Sequence, residues 1–187
     1  MINFDMTNEE YHAHKDVLSA SGTKTIAFDD LATFKYAERK ESAAFDVGTA
    51  THTFVFQPEN ADDVWMGAAD RRGLAWKKTK LEAEEAGALL LTEGDYLLAH
   101  DMAEAVRANK EAAMLLSGDL VCEASVFAKH ERTGIEIRCR PDGWRRDIGA
   151  LIDLKTTITS DPSGFGKQCA NFGYHVQDQH YRMCMEA

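Results

Sequence analysis

Near residue 119 the spacing of apolar side chains changes from threes and fours to twos, and no other feature restricts the fold of this chain as sharply. Before that point the chain reads as helices. Ser19 and Ser21 precede Ile26, Ala27, Leu31 and Phe34 at helical spacing, with Ser21 as the expected cap. A helix over 45–56 puts Phe45, Gly48, Thr49, His52 and Phe56 on one face. Residues 74–87 predict another helix and 92–117 a long one. The long helix starts at Thr92 and Asp95, is lined by Tyr96, Ala99, Ala103, Val106 and Ala113, and stops at Gly118. Beyond it residues 121–129 alternate, 130–134 turn, and Ile135, Ile137 and Cys139 oppose Glu136, Arg138 and Arg140. A turn near 147–149 leads to a third strand over 150–157, a loop over 160–166 and a final helix over 171–187. The expectation is one domain of α/β (α+β) class, with a helical part at 1–118 and a strand-rich part at 119–187.

Thirty-one acidic against 21 basic residues give a net charge of −10. That balance excludes a nucleic-acid binder held by positive charge over its whole surface. It leaves open a local basic groove, or a site whose carboxylates await cations. Cys122, Cys139, Cys169 and Cys184 form no C-x-x-C pair and read as small apolar side chains rather than zinc ligands. No apolar run approaches the roughly 20 residues of a membrane span, and the start lacks a secretion signal, so a cytoplasmic protein with no membrane partner is expected.

The residues with most chemical content are Asp142, after Pro141, and Asp153 and Lys155 within Ile152-Asp153-Leu154-Lys155. In a strand over 150–157, Asp153 and Lys155 share one face while Ile152 and Leu154 enter the core. An antiparallel turn brings Asp142 back beside Asp153. Two neighbouring carboxylates repel, so one is protonated or a divalent cation joins them, and oxygen ligands favour Mg²⁺ or Mn²⁺. A nearby lysine can hold or deprotonate the water that attacks a phosphodiester. The plain alternative is a ladder of surface ion pairs, weakened by the apolar company of Asp153. His52 follows Gly48 by one turn on an apolar helix face, where a lone histidine is more often a bonded core residue than a ligand. Gln177 and Tyr181 share a face of the last helix; with His180 they suit a phosphate or base, or plain packing. The run from Arg71 through Arg72, Trp76, Lys77, Lys78 and Lys80 holds five basic residues, no acid and a ring that can stack on a base.

In this order, Gly48-x-x-x-His52, Arg140-Pro141-Asp142, Ile152-Asp153-Leu154-Lys155-Thr156-Thr157 and Gln177-x-x-x-Tyr181 resemble the PD-(D/E)XK nuclease superfamily. Within it the chain is similar to the RecE-type branch, the C-terminal nuclease of exodeoxyribonuclease VIII. Leu18-Ser19-Ala20-Ser21-Gly22 and Asp70-Arg71-Arg72 add to that likeness. The resemblance implies a restriction-endonuclease-like core, a mixed central sheet flanked by helices. It implies a Mg²⁺-dependent exonuclease, with Mn²⁺ as substitute, degrading linear double-stranded DNA 5′ to 3′ in phage-type recombination. Asp142, Asp153, the Leu154 carbonyl and His52 would hold the metal, Lys155 would place the water, and Gln177 and Tyr181 would support the site. Ser19, Ser21, Arg71, Arg72, Trp76, Lys77, Lys78 and Arg140 are the expected DNA contacts. A homo-oligomeric ring, a single-strand annealing recombinase as partner, and a bacterial or phage-infected host cytoplasm are further implications. The family's core continues with a strand beyond the Gln177–Tyr181 helix, so a core shortened at its C-terminal end is expected. The alternative is a non-catalytic DNA-binding or interaction remnant of such a nuclease; a metal hydrolase built on His12, His14 or His52 is a third class.

Overall fold

The structure, a computed structural model, describes residues 1–37 and 43–187. Its first part runs β1 (Ile2–Asn3), α1 (Asn8–Ala13), β2 (Leu18–Ser19), α2 (Ala20–Phe28), α3 (Leu31–Tyr36) and α4 (Ala43–Phe56). A 3₁₀ turn leads to β3 (Val64–Met66), α5 (Leu74–Ala86), β4 (Leu89–Leu91), α6 (Glu93–Ala108) and α7 (Lys110–Leu115). The strand-rich part holds β5 (Leu120–Cys122), β6 (Ser125–Lys129), β7 (Glu136–Cys139), β8 (Gly143–Arg145) and β9 (Ala150–Ile152), followed by α8 (Pro162–Asn171) and α9 (Tyr174–Glu186). The architecture is mixed α/β, a mixed sheet flanked by helices. Among the described residues no helix is long and apolar enough to cross a membrane.

The centre is one long hairpin interrupted on both strands at the same level. Leu120 pairs with Arg145 and Cys122 with Gly143; beyond the interruption Val126 pairs with Cys139 and Lys129 with Glu136, all in one register. The expected strand over 121–129 is therefore broken. Glu123 adopts a left-handed backbone, φ 54°, and its N–H donates to the Asp142 carbonyl at 3.2 Å. Opposite the next residue, Ala124, stands Pro141, which has no N–H to give to a ladder. β6 and β7 extend into a sheet with β1 antiparallel at one edge and β2 parallel at the other; β5 and β8 extend to β9.

Two apolar clusters lie on the two sides of this interruption. Ala20, Val126, Ile137, Cys139, Tyr181 and Cys184 join α2 and α9 to β6 and β7. Phe54, Phe56, Val64, Leu91, Ala99 and Ala103 join α4 and α6 to β3 and β4, with Cys122, Ile152 and Leu154 at their border. A side chain at Gly143 would come within 3.3 Å of the Phe56 ring, so glycine there lets α4 settle on the hairpin.

Several expected boundaries move for local reasons. Ser19, not Ser21, caps α2, accepting from the Gly22 N–H at 3.2 Å; the Ser21 hydroxyl bonds that of Ser19 at 3.0 Å. The expected helix over 92–117 breaks at Asn109, whose side chain accepts from the Ala112 N–H and starts α7 afresh. Within the expected loop 160–166, Asp161 caps α8 and Pro162 takes its first position, where proline loses no bond. The expected strand over 150–157 ends at Ile152, and Ile135 is half exposed rather than inward.

Gly118 ends α7 in a left-handed conformation, φ 84°, and a Cβ there would stand 2.6 Å from the Arg145 guanidinium. Arg145 is buried and donates to the Met114 and Leu115 carbonyls that α7 leaves open. Gly118→Ala is therefore expected to cost about 1–3 kcal/mol through backbone strain and a displaced arginine. Thermal unfolding checks this: a midpoint equal to the parent's would show that neither effect operates.

Candidate functional site

Asp142 occupies the interruption itself. Because Gly143 pairs with Ile152, the residues one step further, Asp142 and Asp153, face each other where β8 and β9 open. The Leu154 N–H donates to Asp142 Oδ2 at 2.6 Å, tying the two segments together. Asp153 lies just past the end of β9, not inside a strand, yet it still reaches the expected neighbours. Its Oδ2 is ion-paired with the Lys155 amine, and its Oδ1 accepts from Gln177 Nε2 at 2.7 Å. Gln177 also donates to the Tyr181 hydroxyl at 2.9 Å, which in turn donates to the Arg140 carbonyl at 3.2 Å. One face of α9 thus holds Asp153 in a fixed orientation.

His52 approaches from α4. Its Nε2 donates to the Leu154 carbonyl at 3.0 Å, and its Nδ1 lies 3.4 Å from Asp142 Oδ1. Both ring nitrogens face oxygen acceptors, an arrangement that suits the doubly protonated ring. Burial, the largest influence, pulls its pKa down, but the hydrogen bond and charge of Asp142 outweigh it and the net direction is up. The Asp153 carboxyl is pushed up, first by burial and then by the Asp142 charge, against the pull of Lys155. Glu123 is pushed up by burial too, while the Arg140 charge opposes this.

Beside the acid pair runs a groove of about 700 Å³ lined by Gly48, Thr49 and His52 from α4, and by Glu123, Arg140, Leu154, Lys155, Thr156 and Tyr174. A smaller cavity of about 230 Å³ adjoins it, lined by Ser19, Ser21 and Lys24 and sharing Glu123 and Arg140. Lys24 carries no motif, and sequence reasoning missed it. Only the packing of α2 on α9 brings its amine within 3.3 Å of Gln177 Oε1. His180 is spent structurally: buried, it bridges Thr23 and the Arg138 carbonyl.

The expected DNA contacts separate into two groups. Ser19 and Ser21 border the smaller cavity. Arg140 lines both cavities, but its guanidinium is turned inward, bonded to the carbonyls of Glu123 and Met6 and paired with the Glu123 carboxylate. The run from Arg71 to Lys80 lines neither cavity. Arg71 pairs with Asp95, Arg72 with Asp70, and Lys78 with Glu82, whereas Lys77 makes no ion pair among the described residues. Trp76 is a correction: it is buried, not open for stacking. Its indole lies over Gly67, where a Cβ would stand 2.9 Å away, and Arg71 covers its ring at 5.3 Å.

Among the described residues no three His, Cys, Asp or Glu side chains converge as a ready-made cage for a metal ion. The donors at Asp142 and Asp153 are two carboxylates and the Leu154 carbonyl, a hard oxygen set that fits Mg²⁺ or Mn²⁺ better than zinc. Burial and the Asp142 charge push the Asp153 carboxyl up, a cost that a cation shared by the two acids would offset. In this structure Lys155 and His52 supply positive charge from the chain itself.

A search of curated proteins gives no match to the chain. A family model described as a PDDEXK-like domain of unknown function (DUF3799) matches residues 23–187, which include His52, Asp142, Asp153, Lys155, Gln177 and Tyr181. With most of its length matched, and with the acid pair and lysine where β8 and β9 open, the chain belongs to this family of PDDEXK-like domains.

Proposed function

We propose that the protein is a divalent-metal-dependent nuclease that hydrolyses the phosphodiester bonds of linear double-stranded DNA as a 5′ to 3′ exonuclease. The observation that carries this reading is the facing of Asp142 and Asp153 across β8 and β9, with the Lys155 amine on Asp153, beside an open groove that His52, Leu154 and Lys155 line. Mg²⁺, or Mn²⁺ in its place, would be held by Asp142, Asp153, the Leu154 carbonyl and His52, and would supply Lewis-acid polarisation and a more acidic water. Lys155, once free of Asp153, places the attacking water and balances the charge growing on the phosphoryl oxygens. Gln177 keeps the Asp153 carboxylate in position, and Tyr181 keeps Gln177 in position. To join this set His52 would lose a ring proton and its bond to Leu154, which would also free that carbonyl.

Ser19 and Ser21, at the neighbouring cavity, are positioned for the DNA backbone, with Arg71, Arg72, Lys77 and Lys78 as outlying phosphate contacts. The RecE-type motif order supports work in phage-type recombination beside a single-strand annealing recombinase, as a homo-oligomeric ring around DNA in the cytoplasm. One feature favours a second reading, a non-catalytic DNA-binding remnant: both acids already have a cationic partner in the chain, Lys155 and His52.

Linear duplex labelled at the 5′ or the 3′ end, incubated with Mg²⁺ and with chelator, separates the two. The expected result is early release of the 5′ label with Mg²⁺, late release of the 3′ label, and no release with chelator. Duplex binding without nucleotide release would overturn the nuclease reading, and early release of the 3′ label would reverse the polarity.

A further inference from the structure

A groove that cuts a phosphodiester must also accommodate the bases beside it, and one wall of this groove is aromatic. The corner between α8 and α9 turns on Gly173, whose left-handed backbone, φ 64°, sets Phe172 and Tyr174 ring against ring. Their centroids are 6.0 Å apart and their planes 26° from parallel, while Phe165 backs Tyr174 at 6.2 Å. Tyr174 lines the groove and Phe172 is 57% exposed. The Lys155 amine lies 5.3 Å from the Tyr174 centroid and the Lys24 amine 5.8 Å from it. From α4, Phe45 lines the same groove, 63% exposed.

An aromatic ring with two ammonium groups close to it matches the repeat of single-stranded nucleic acid, in which a base alternates with a phosphate. A base stacks on the ring while adjoining phosphates meet the cations. An intact duplex cannot use such a wall, because its bases already stack on one another. Corner packing accounts for Phe165, while Phe172 carries an exposed ring outward from Tyr174.

We propose that Tyr174, extended outward by Phe172, is a base-stacking platform, so that the chain entering the hydrolytic groove is single-stranded, unstacked DNA. The inference rests on the nuclease reading of the groove and names the form of the substrate that reaches it.

The probe is a short oligodeoxynucleotide carrying 2-aminopurine at its 5′ end, single-stranded or fully paired, added to the full chain in chelator. Stacking quenches this base. Binding with strong quenching is expected for the single strand and weaker quenching for the duplex, whose 5′ end must first open, both unchanged in Tyr174→Phe. Tyr174→Leu is expected to lose the quench and about tenfold in affinity, the scale of one lost base stack. Thermal unfolding shows whether that variant folds; should it not, Phe172→Ala decides, with partial loss of quench at an unchanged midpoint. Binding by the parent without quenching, no binding of the single strand, or a folded variant that quenches fully would each overturn the platform. Mg²⁺-dependent nucleotide release is measured alongside. Release without quenching rejects the platform and keeps the nuclease; quenching without release does the reverse.

Discussion

Replacing Asp153 with asparagine is expected to lower Mg²⁺-dependent nucleotide release by about a thousandfold or more, the scale on which sites lose activity with one charge-stabilising group. The fold should survive. Asparagine keeps an oxygen for Gln177 Nε2 and removes the charge that faces Asp142. The sign of the stability change follows from the upward push on the Asp153 carboxyl. An acid whose pKa is higher folded than unfolded favours the folded state at low pH and loses that advantage as pH rises through the folded value. At neutral pH the parent therefore bears the cost of ionising a buried carboxylate, and Asp153→Asn does not. The variant's melting midpoint should equal or exceed the parent's at pH 7. Its advantage should fade towards pH 4, near the ordinary aspartate value of about 3.9. Nucleotide release by the purified variant at the parental rate would remove Asp153 from the reaction. A midpoint that falls sharply at pH 7 would show the carboxylate to be held by net attraction instead.

The site was readable in sequence to the extent that it depends on neighbours along the hairpin. Alternation through residues 121–140 and the turn before Ala150 are enough to return Asp142 beside Asp153, and the register does so. The reason anticipated for their meeting was partly mistaken, since Asp153 lies beyond β9 and owes its orientation to Gln177 and Lys155 rather than to a strand. What the sequence hid depends on contacts between distant segments. Lys24 has no motif; its amine reaches the site because α2 packs on α9. Trp76 sits among basic residues, a pattern that looks like a nucleic-acid surface, but burial over Gly67 is decided by β3 and β4 beneath it. The break at Glu123 carries no local signal beyond Pro141 across the hairpin, because one residue with positive φ leaves the alternating pattern intact. Helix starts were legible where a single capping side chain had no rival, as at Thr92. They were displaced where Ser19 and Ser21 competed.

Arg140→Ala tests whether that side chain serves DNA or the fold, and the fold is the expected loser. Its side chain is 9% exposed and lies 5.3 Å from the Tyr11 ring centre. It supplies donors to the Met6 and Glu123 carbonyls and a partner at 3.1 Å to the Glu123 carboxylate. Alanine would leave two carbonyls without donors and a carboxylate, already pushed up by burial, without its cation. Breaking a fully buried pair from one side costs about 3–5 kcal/mol. The Glu123 side chain is 31% exposed, so water recovers part of that and about 2–4 kcal/mol is expected here. For a chain of this size the midpoint should fall by roughly 5–15 °C. Arg140→Lys should recover little, since one ammonium cannot span the acceptors that the planar fork joins. Glu123→Gln in the Arg140→Ala background should recover part of the loss, because it removes the stranded charge. If Arg140→Ala instead melts with the parent and binds duplex weakly with a shallower salt dependence, the guanidinium is a phosphate contact and the break in the hairpin holds without it.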